Sequence, residues 1–196
     1  MEIPLESILE RFASLARPEI LRNHLPNSCI ASTWITIQVM HQLGLTAHPL
    51  EVRLSVGNGV YRRLRDQFGP PRTQAQLGQW SHEQGAYVIG VGFDDGSAGI
   101  GGHLIAVVEG RFLLDASIDQ VTDPLHGLNP PPVLWGSLDP LFIAGVKRLQ
   151  RMDVLGLFIE YSSHPVARRY ETSYDWGHNP ETDFAVSNIL SALNRS

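Results

Sequence analysis

One cysteine, no apolar run near the length of a membrane-spanning helix, and no excess of positive charge: each scarcity closes off a class of protein. With Cys29 alone among 196 residues, no disulfide can form within the chain, and packing has to hold the core. No stretch approaches the ~18 consecutive apolar residues that a spanning helix needs, so no membrane partner is expected. Lys and Arg number 15 against 20 Asp and Glu, a formal charge of -5. No basic stripe interleaved with aromatics is present to neutralise a row of phosphates, so nucleic acid is not an expected partner. The start, MEIPLESILERFASLA, carries acids and an amphipathic pattern where a secretory signal carries a basic start and an unbroken apolar run. With one thiol and no such signal, a reducing cytoplasm is the expected compartment. The eight histidines include no HExxH, and cysteines cannot pair, so neither a metal nor another cofactor is expected. GVGFDDGSAGIGG lacks the GxxxxGK[ST] pattern and would set Asp94 and Asp95 against a phosphate, which leaves turns as its reading.

What is present is the composition of one folded domain over 1–196, 43% apolar and 18% charged, enough to bury a core. Leu5, Ile8, Leu9, Phe12 and Leu15 recur at helical intervals, and Pro18 predicts the end of that helix. From Ser28 to Leu43 apolar residues wrap most of the helix surface, the mark of a helix buried on several sides, with Gly44 ending it. Pro49 to Val56 alternates apolar and polar residues as a half-buried strand does. Tyr61 to Trp80, cut by Gly69, Pro70 and Pro71, reads as a short helix and a surface excursion that could serve as a lid. Tyr87–Val91, Gly102–Val108 and Arg111–Leu114 are β-rich runs separated by Gly/Asp turns, and Leu155–Tyr161 reads as a further strand. Pro124 to Pro140 holds five prolines and predicts an extended loop. Asn179 and Pro180 start a closing helix with Ala185, Ile189 and Leu193 on one side. Helices first and consecutive strands afterwards predict an α+β fold, one central helix packed on an antiparallel sheet.

Residues 27–34, NSCIASTW, put the lone thiol directly after two residue types that start helices. Unpaired N–H groups and the positive end of the macrodipole at a helix start favour thiolate. The same N–H groups can receive the oxyanion formed when sulfur attacks a carbonyl. Such a nucleophile needs a base, and the base needs an orienting acceptor. The stretch GGHLIAVVEGRFLLDASIDQ offers His103 and Asp115 on consecutive strands. A two-residue turn at Glu109-Gly110 would pair Val108 with Arg111 and turn Asp115 to the face opposite His103. A three-residue loop at 108–110 would put Gly110 where a left-handed residue is required and pair Ile105 with Leu113. It would also set His103 directly across from Asp115, with Cβ atoms about 4.5–5.5 Å apart. The three-residue loop is the one expected. Asp119 and Gln120 read as structural caps of the next turn.

NSC at a helix start, GGH opening a strand and LLD closing the next resemble the Cys-His-Asp core of the transglutaminase-like branch of the papain-like fold, to which arylamine N-acetyltransferases also belong. LLDASIDQ resembles the D-x-[TS]-x-x-Q ending of many bacterial members. The resemblance covers about residues 27–120 and implies a papain-like α+β fold, with Cys29 as nucleophile, His103 as acid/base and Asp115 as its partner. It also implies Asn23, an amide six residues before the cysteine, as an oxyanion donor. Ile105 and Arg111-Phe112 stand where many members carry aromatics, so the resemblance leaves the substrate as any peptide, protein or small acyl compound. Two readings remain from the residues: a cofactor-independent acyl-transfer enzyme, hydrolase or transferase, and a silent binding module with Cys29 in its core.

Overall fold

The computed structural model describes residues 4–25, 27–91, 102–163 and 169–195. In chain order these form α1 (Leu5–Ile20), α2 (Cys29–Gln42), β1 (Ala47–Gly57), α3 (Gly59–Phe68), α4 (Gln74–Gln84), β2 (Val88–Val91), β3 (His103–Val108), β4 (Phe112–Asp115), β5 (Leu134–Ser137), α5 (Pro140–Ile143), β6 (Leu149–Val154), β7 (Leu157–Ser163) and α6 (Pro180–Arg195). The fold is α+β, and every strand pairing is antiparallel. The strands run in the order β5-β4-β3-β1-β7-β6, and β2 also pairs with β1. No helix among the described residues is long and apolar enough to cross a membrane.

β1 organises the sheet because it is long enough to serve two partners along one edge. Its residues Ala47 to Val52 pair with β3 and Leu54 to Gly57 with β2, while Val52 to Gly57 pair with β7 across the other edge. Both faces of β3 are buried, which its unbroken apolar run LIAVV allows. One face, carrying Ala106, Val108 and Leu114, packs with Phe12 of α1, Ile35 and Met40 of α2, and Ala185 and Ile189 of α6. The opposite face gathers Val52, Leu54, Ile105, Val107, Leu113, Ile159 and Tyr161. His103 and Asp115 belong to this second face by strict alternation along their strands.

The structure departs from the sequence reading at several elements. α1 continues through Pro18 to Ile20. Proline in the last turn forfeits one hydrogen bond near an end that would fray anyway, and fully buried Ile20 anchors the extension. The proline-rich stretch contains β5, which follows the prolines and, among the described residues, pairs only with β4 at the edge of the sheet. Edge placement is what tolerates proline beside a strand. Leu155 belongs to the turn between β6 and β7; it and Gly156 take φ 52° and 77°. β6 was not expected because its alternate residues Leu149, Arg151 and Asp153 are exposed, the pattern of a polar edge strand. The Gly/Asp turn expected around Phe93–Gly101 lies outside the described residues.

The excursion after Tyr61 is no lid over Cys29. It forms α3 and α4, whose Tyr61, Leu64 and Trp80 pack with Ala86 and Phe158 in a cluster of their own. Asn58 caps α3 through Tyr61 N–H (2.9 Å) and ties it to the chain further on, its amide donating to the carbonyls of Gly85 (2.9 Å) and His126 (3.0 Å). α6 begins as its sequence predicts. The Asn179 side chain accepts from the N–H groups of Glu181 (3.0 Å) and Thr182 (2.9 Å), and Ala185, Ile189 and Leu193 are buried.

Candidate functional site

Cys29 is the first residue of α2, at the end of the helix that meets the start of β3. The two elements are pinned together by Thr33, one turn further on, whose Oγ1 donates to the Leu104 carbonyl at 2.8 Å. No side chain caps α2. The Ser28 hydroxyl instead donates back to the Leu25 carbonyl at 2.6 Å, which leaves the first-turn N–H groups without a side-chain acceptor. Cys29 is half-buried and packs with Ile30, Leu104, Tyr170 and Trp176. Tyr170 and Trp176 stack edge-to-face at 4.6 Å, and Trp34 meets Trp176 at 4.9 Å. Tyr170 and Trp176 therefore lie against the thiol, in place of the excursion that the sequence suggested.

The hairpin that carries His103 and Asp115 follows neither register considered from the sequence. Glu109 and Gly110 are both left-handed, at φ 52° and 60°, and Arg111 N–H donates to the Val108 carbonyl at 3.1 Å, a two-residue turn. Arg111 is then an extra residue, because Val108 pairs with Phe112, Val107 with Leu113 and Ala106 with Leu114. A bare two-residue turn would have put Asp115 on the wrong face, and the one-residue bulge restores the parity. Continued one step, the register sets Asp115 across from Ile105, so Asp115 is diagonal to His103 rather than directly opposite. Both side chains still leave the same face. Glu109 holds its unusual φ because Thr46 fixes it: its N–H donates to the Thr46 carbonyl (2.9 Å), and its carboxylate accepts from Thr46 N–H (2.5 Å) and hydroxyl (3.0 Å).

His103 and Asp115 are both completely buried and joined by Nε2 to Oδ2 at 2.7 Å. A buried carboxylate is costly unless its lone pairs are filled, and those of Asp115 are. Oδ2 also accepts from the Tyr161 hydroxyl (2.9 Å), and Oδ1 accepts from Ser117 N–H (3.1 Å) and Oγ (3.3 Å). Burial and the adjacent Asp115 charge push the Tyr161 phenol well above its ordinary value, so it stays a donor. For His103, burial by itself disfavours the charged ring, but the charge and hydrogen bond of Asp115, then those of Cys29, outweigh it and raise its proton affinity. With Nε2 committed to Asp115, the Nδ1 side of the ring remains for other partners.

One of those partners is Gln120, which the sequence reading took for a structural cap. Its Nε2 donates to His103 Nδ1 at 2.9 Å. Asp119 is likewise not a cap: its Oδ2 accepts from Arg17 Nε of α1 at 2.9 Å, and its Oδ1 lies 2.6 Å from Nη2 of the same guanidinium as an ion pair. The short 3-10 turn Ile118–Val121 holds both, its Ile118 and Val121 buried. The segment DASIDQ thus places four side chains around the imidazole. Asp115 and Gln120 touch the ring, Ser117 braces Asp115, and Asp119 fixes the turn. The order D-x-S-x-x-Q was the only signal in the sequence that could have found Gln120.

Asn23 sits apart. It is exposed in the turn between α1 and α2, and among the described residues no side-chain hydrogen bond ties it to Cys29 or His103. With His24, Asn27, Ser28, Tyr174 and others it lines a cavity of ≈ 410 Å³ beside the start of α2. No group of three or more His, Cys, Asp or Glu that could hold a metal ion occurs among the described residues.

Comparison with known proteins found no matching family model, curated protein or solved structure. The functional reading therefore rests on the site alone.

Proposed function

We propose that this chain is a cofactor-independent, thiol-dependent acyl-transfer enzyme on a transglutaminase-like, papain-like fold, with Cys29, His103 and Asp115 as its catalytic residues. The observation that carries the reading is the fully buried His103–Asp115 pair at 2.7 Å, whose proton affinity is raised further by Cys29, the only thiol in the chain. A buried, completely satisfied carboxylate aimed at one imidazole nitrogen fixes the tautomer and favours the imidazolium. That is what a base needs in order to accept a proton from a nucleophile. Cys29 gives its proton to Nδ1 of His103, and the sulfur adds to the carbonyl carbon of an amide, ester or thioester. The first-turn N–H groups of α2 receive the resulting oxyanion. His103 then returns the proton to the leaving group as the thioacyl bond forms. Water completes a hydrolysis and an amine completes a transfer; peptides, proteins and small acyl compounds fit this chemistry equally.

The test is intact-mass measurement after incubation with a panel of activated acyl esters. Wild type is expected to gain one acyl mass, lost on hydroxylamine treatment, and Cys29→Ala to gain none. The packing of Ile30, Leu104, Tyr170 and Trp176 around Cys29 favours the one rival, a silent binding module with the thiol in its core. No adduct on wild type, together with a thiol inert to alkylation near neutral pH, would establish that rival instead.

A further inference from the structure

The Nδ1 atom of His103 has a single lone pair, and the structure gives it to Gln120. An imidazole can accept that N–H only while Nδ1 carries no proton. The same lone pair is the one that must take the proton of Cys29 if the thiol is to react, since Nε2 is bound to Asp115. Gln120 and the thiol proton are therefore mutually exclusive partners of one atom. We propose that Gln120 governs proton transfer between Cys29 and His103, its Nε2–H occupying the lone pair until the imidazole takes the thiol proton. This rests on the acyl-transfer reading for its purpose, though not for its geometry.

Gln120 is held in place to do this. Flanking Ile118 and Val121 are 0% and 3% exposed, and the neighbouring Asp119 is clamped by two contacts to Arg17, itself 2% exposed. Gln120 N–H is used within the turn, donating to the Ser117 carbonyl at 3.1 Å. The side-chain amide is thus presented from a backbone that cannot easily withdraw. The titratable groups that face the imidazole are Cys29 from α2 and Asp115 from β4, with Tyr161 of β7 behind Asp115. Asp115 and Cys29 favour the protonated ring, and Gln120 is the one described contact that favours the neutral one. When Nδ1 gains its proton, the hydrogen bond from Gln120 N–H to Nδ1 is given up, the S–H bond breaks and the Nδ1–H bond forms. The amide then either turns its oxygen to the ring or frees its N–H.

The experiment is the pH profile of Cys29 alkylation by iodoacetamide in the full-length protein, which needs no substrate. Gln120→Met keeps the side-chain length and removes both amide groups. Its profile is expected to move to lower pH by about one unit, roughly tenfold faster reaction on the acid limb. Gln120→Glu, which offers an acceptor to the protonated ring, is expected to move it further in the same direction. Thermal unfolding close to wild type shows that the fold is kept, and a merely structural glutamine would shift stability without shifting the profile. A profile unchanged in both variants, or moved to higher pH, overturns the proposal. If His103→Ala alters the profile while Gln120→Met does not, only the role of Gln120 falls. If wild type forms no acyl adduct while Gln120→Met still shifts the profile, only the acyl-transfer reading falls.

Discussion

Arg17 in α1 and Asp119 in the turn after β4 stand 102 positions apart and meet as a two-pronged pair at 2.9 and 2.6 Å. The guanidinium also reaches Ser32 Oγ of α2 at 3.3 Å, so one buried side chain joins the first helix, the helix of Cys29 and the turn of Gln120. A nearly dry ion pair contributes little net attraction, because desolvation offsets it, but losing one partner strands the other charge. This contact acts mainly as a spacer that fixes where the turn lies.

Arg17→Met should therefore destabilise the protein by about 2–4 kcal/mol, with Asp119 at 21% exposure keeping the cost below that of a fully dry pair. Arg17→Met combined with Asp119→Leu should recover most of that loss, since the Asp119 charge is then no longer left behind. Urea midpoints of wild type, Arg17→Met, Asp119→Leu and the double variant measure it. A double variant as unstable as the sum of the two single ones would show that the two side chains are not coupled and overturn this expectation.

Reactivity of the thiol gives the next expectation. His103→Ala should slow Cys29 alkylation near neutral pH by removing the proposed base, while the start of α2 still favours thiolate. Asp115→Asn should slow it less, because the ring remains in place with a weaker partner. Iodoacetamide kinetics on proteins shown to be folded by circular dichroism decide this. An alkylation profile indifferent to His103→Ala would return Cys29 to the core reading.

Tyr161 offers a way to weaken Asp115 without touching the ring. Tyr161→Phe removes one buried hydrogen bond to a carboxylate and should cost about 1–2 kcal/mol in stability. It should also lower the alkylation rate by less than Asp115→Asn does, as Ser117 and His103 still hold the carboxylate. A loss of reactivity equal to that of His103→Ala would mean that Tyr161 positions the ring itself.

Linkage between protonation and folding supplies a pH test. His103 binds its proton more tightly in the folded chain than the ordinary imidazole value of 6.5, so its contribution to stability is fully present below about 6.5. That contribution is lost as pH rises above 6.5 through the raised folded value. In a Cys29→Ser background, which removes the titration of the thiol from the same window, the parent should lose stability against His103→Gln as pH rises above about 6.5. A gap that widens with pH would reverse the assigned direction of the shift.

Much of this molecule was written in local pattern. Cys29 at the head of a helix wrapped in apolar residues, Asn179 and Pro180 opening α6, and the alternation that sends His103 and Asp115 to one face all follow from interactions within a few residues. The side chains on a strand change face at each step, so an error of two positions in the expected hairpin register left the pair on the correct side. The bulge at Arg111 that produced this outcome was not legible, because it depends on Thr46 gripping Glu109 from another part of the chain. Sequence alone likewise missed β5 and β6, edge strands whose pairing comes from neighbours and not from a strong alternating core face.

The sequence by itself determined the antiparallel α+β class, one reactive residue type at a helix start, and a histidine and a carboxylate close enough along a hairpin to meet. Only the tertiary structure decided what surrounds them. Gln120 comes to the second nitrogen of His103, Tyr161 to Asp115 from 46 residues away, Arg17 to the turn that carries Gln120, and Tyr170 and Trp176 to the thiol. Those placements depend on how helices and strands distant in the chain pack together. Local propensity acts over a turn of helix or a single strand and carries no information about which distant side chain will fill a lone pair.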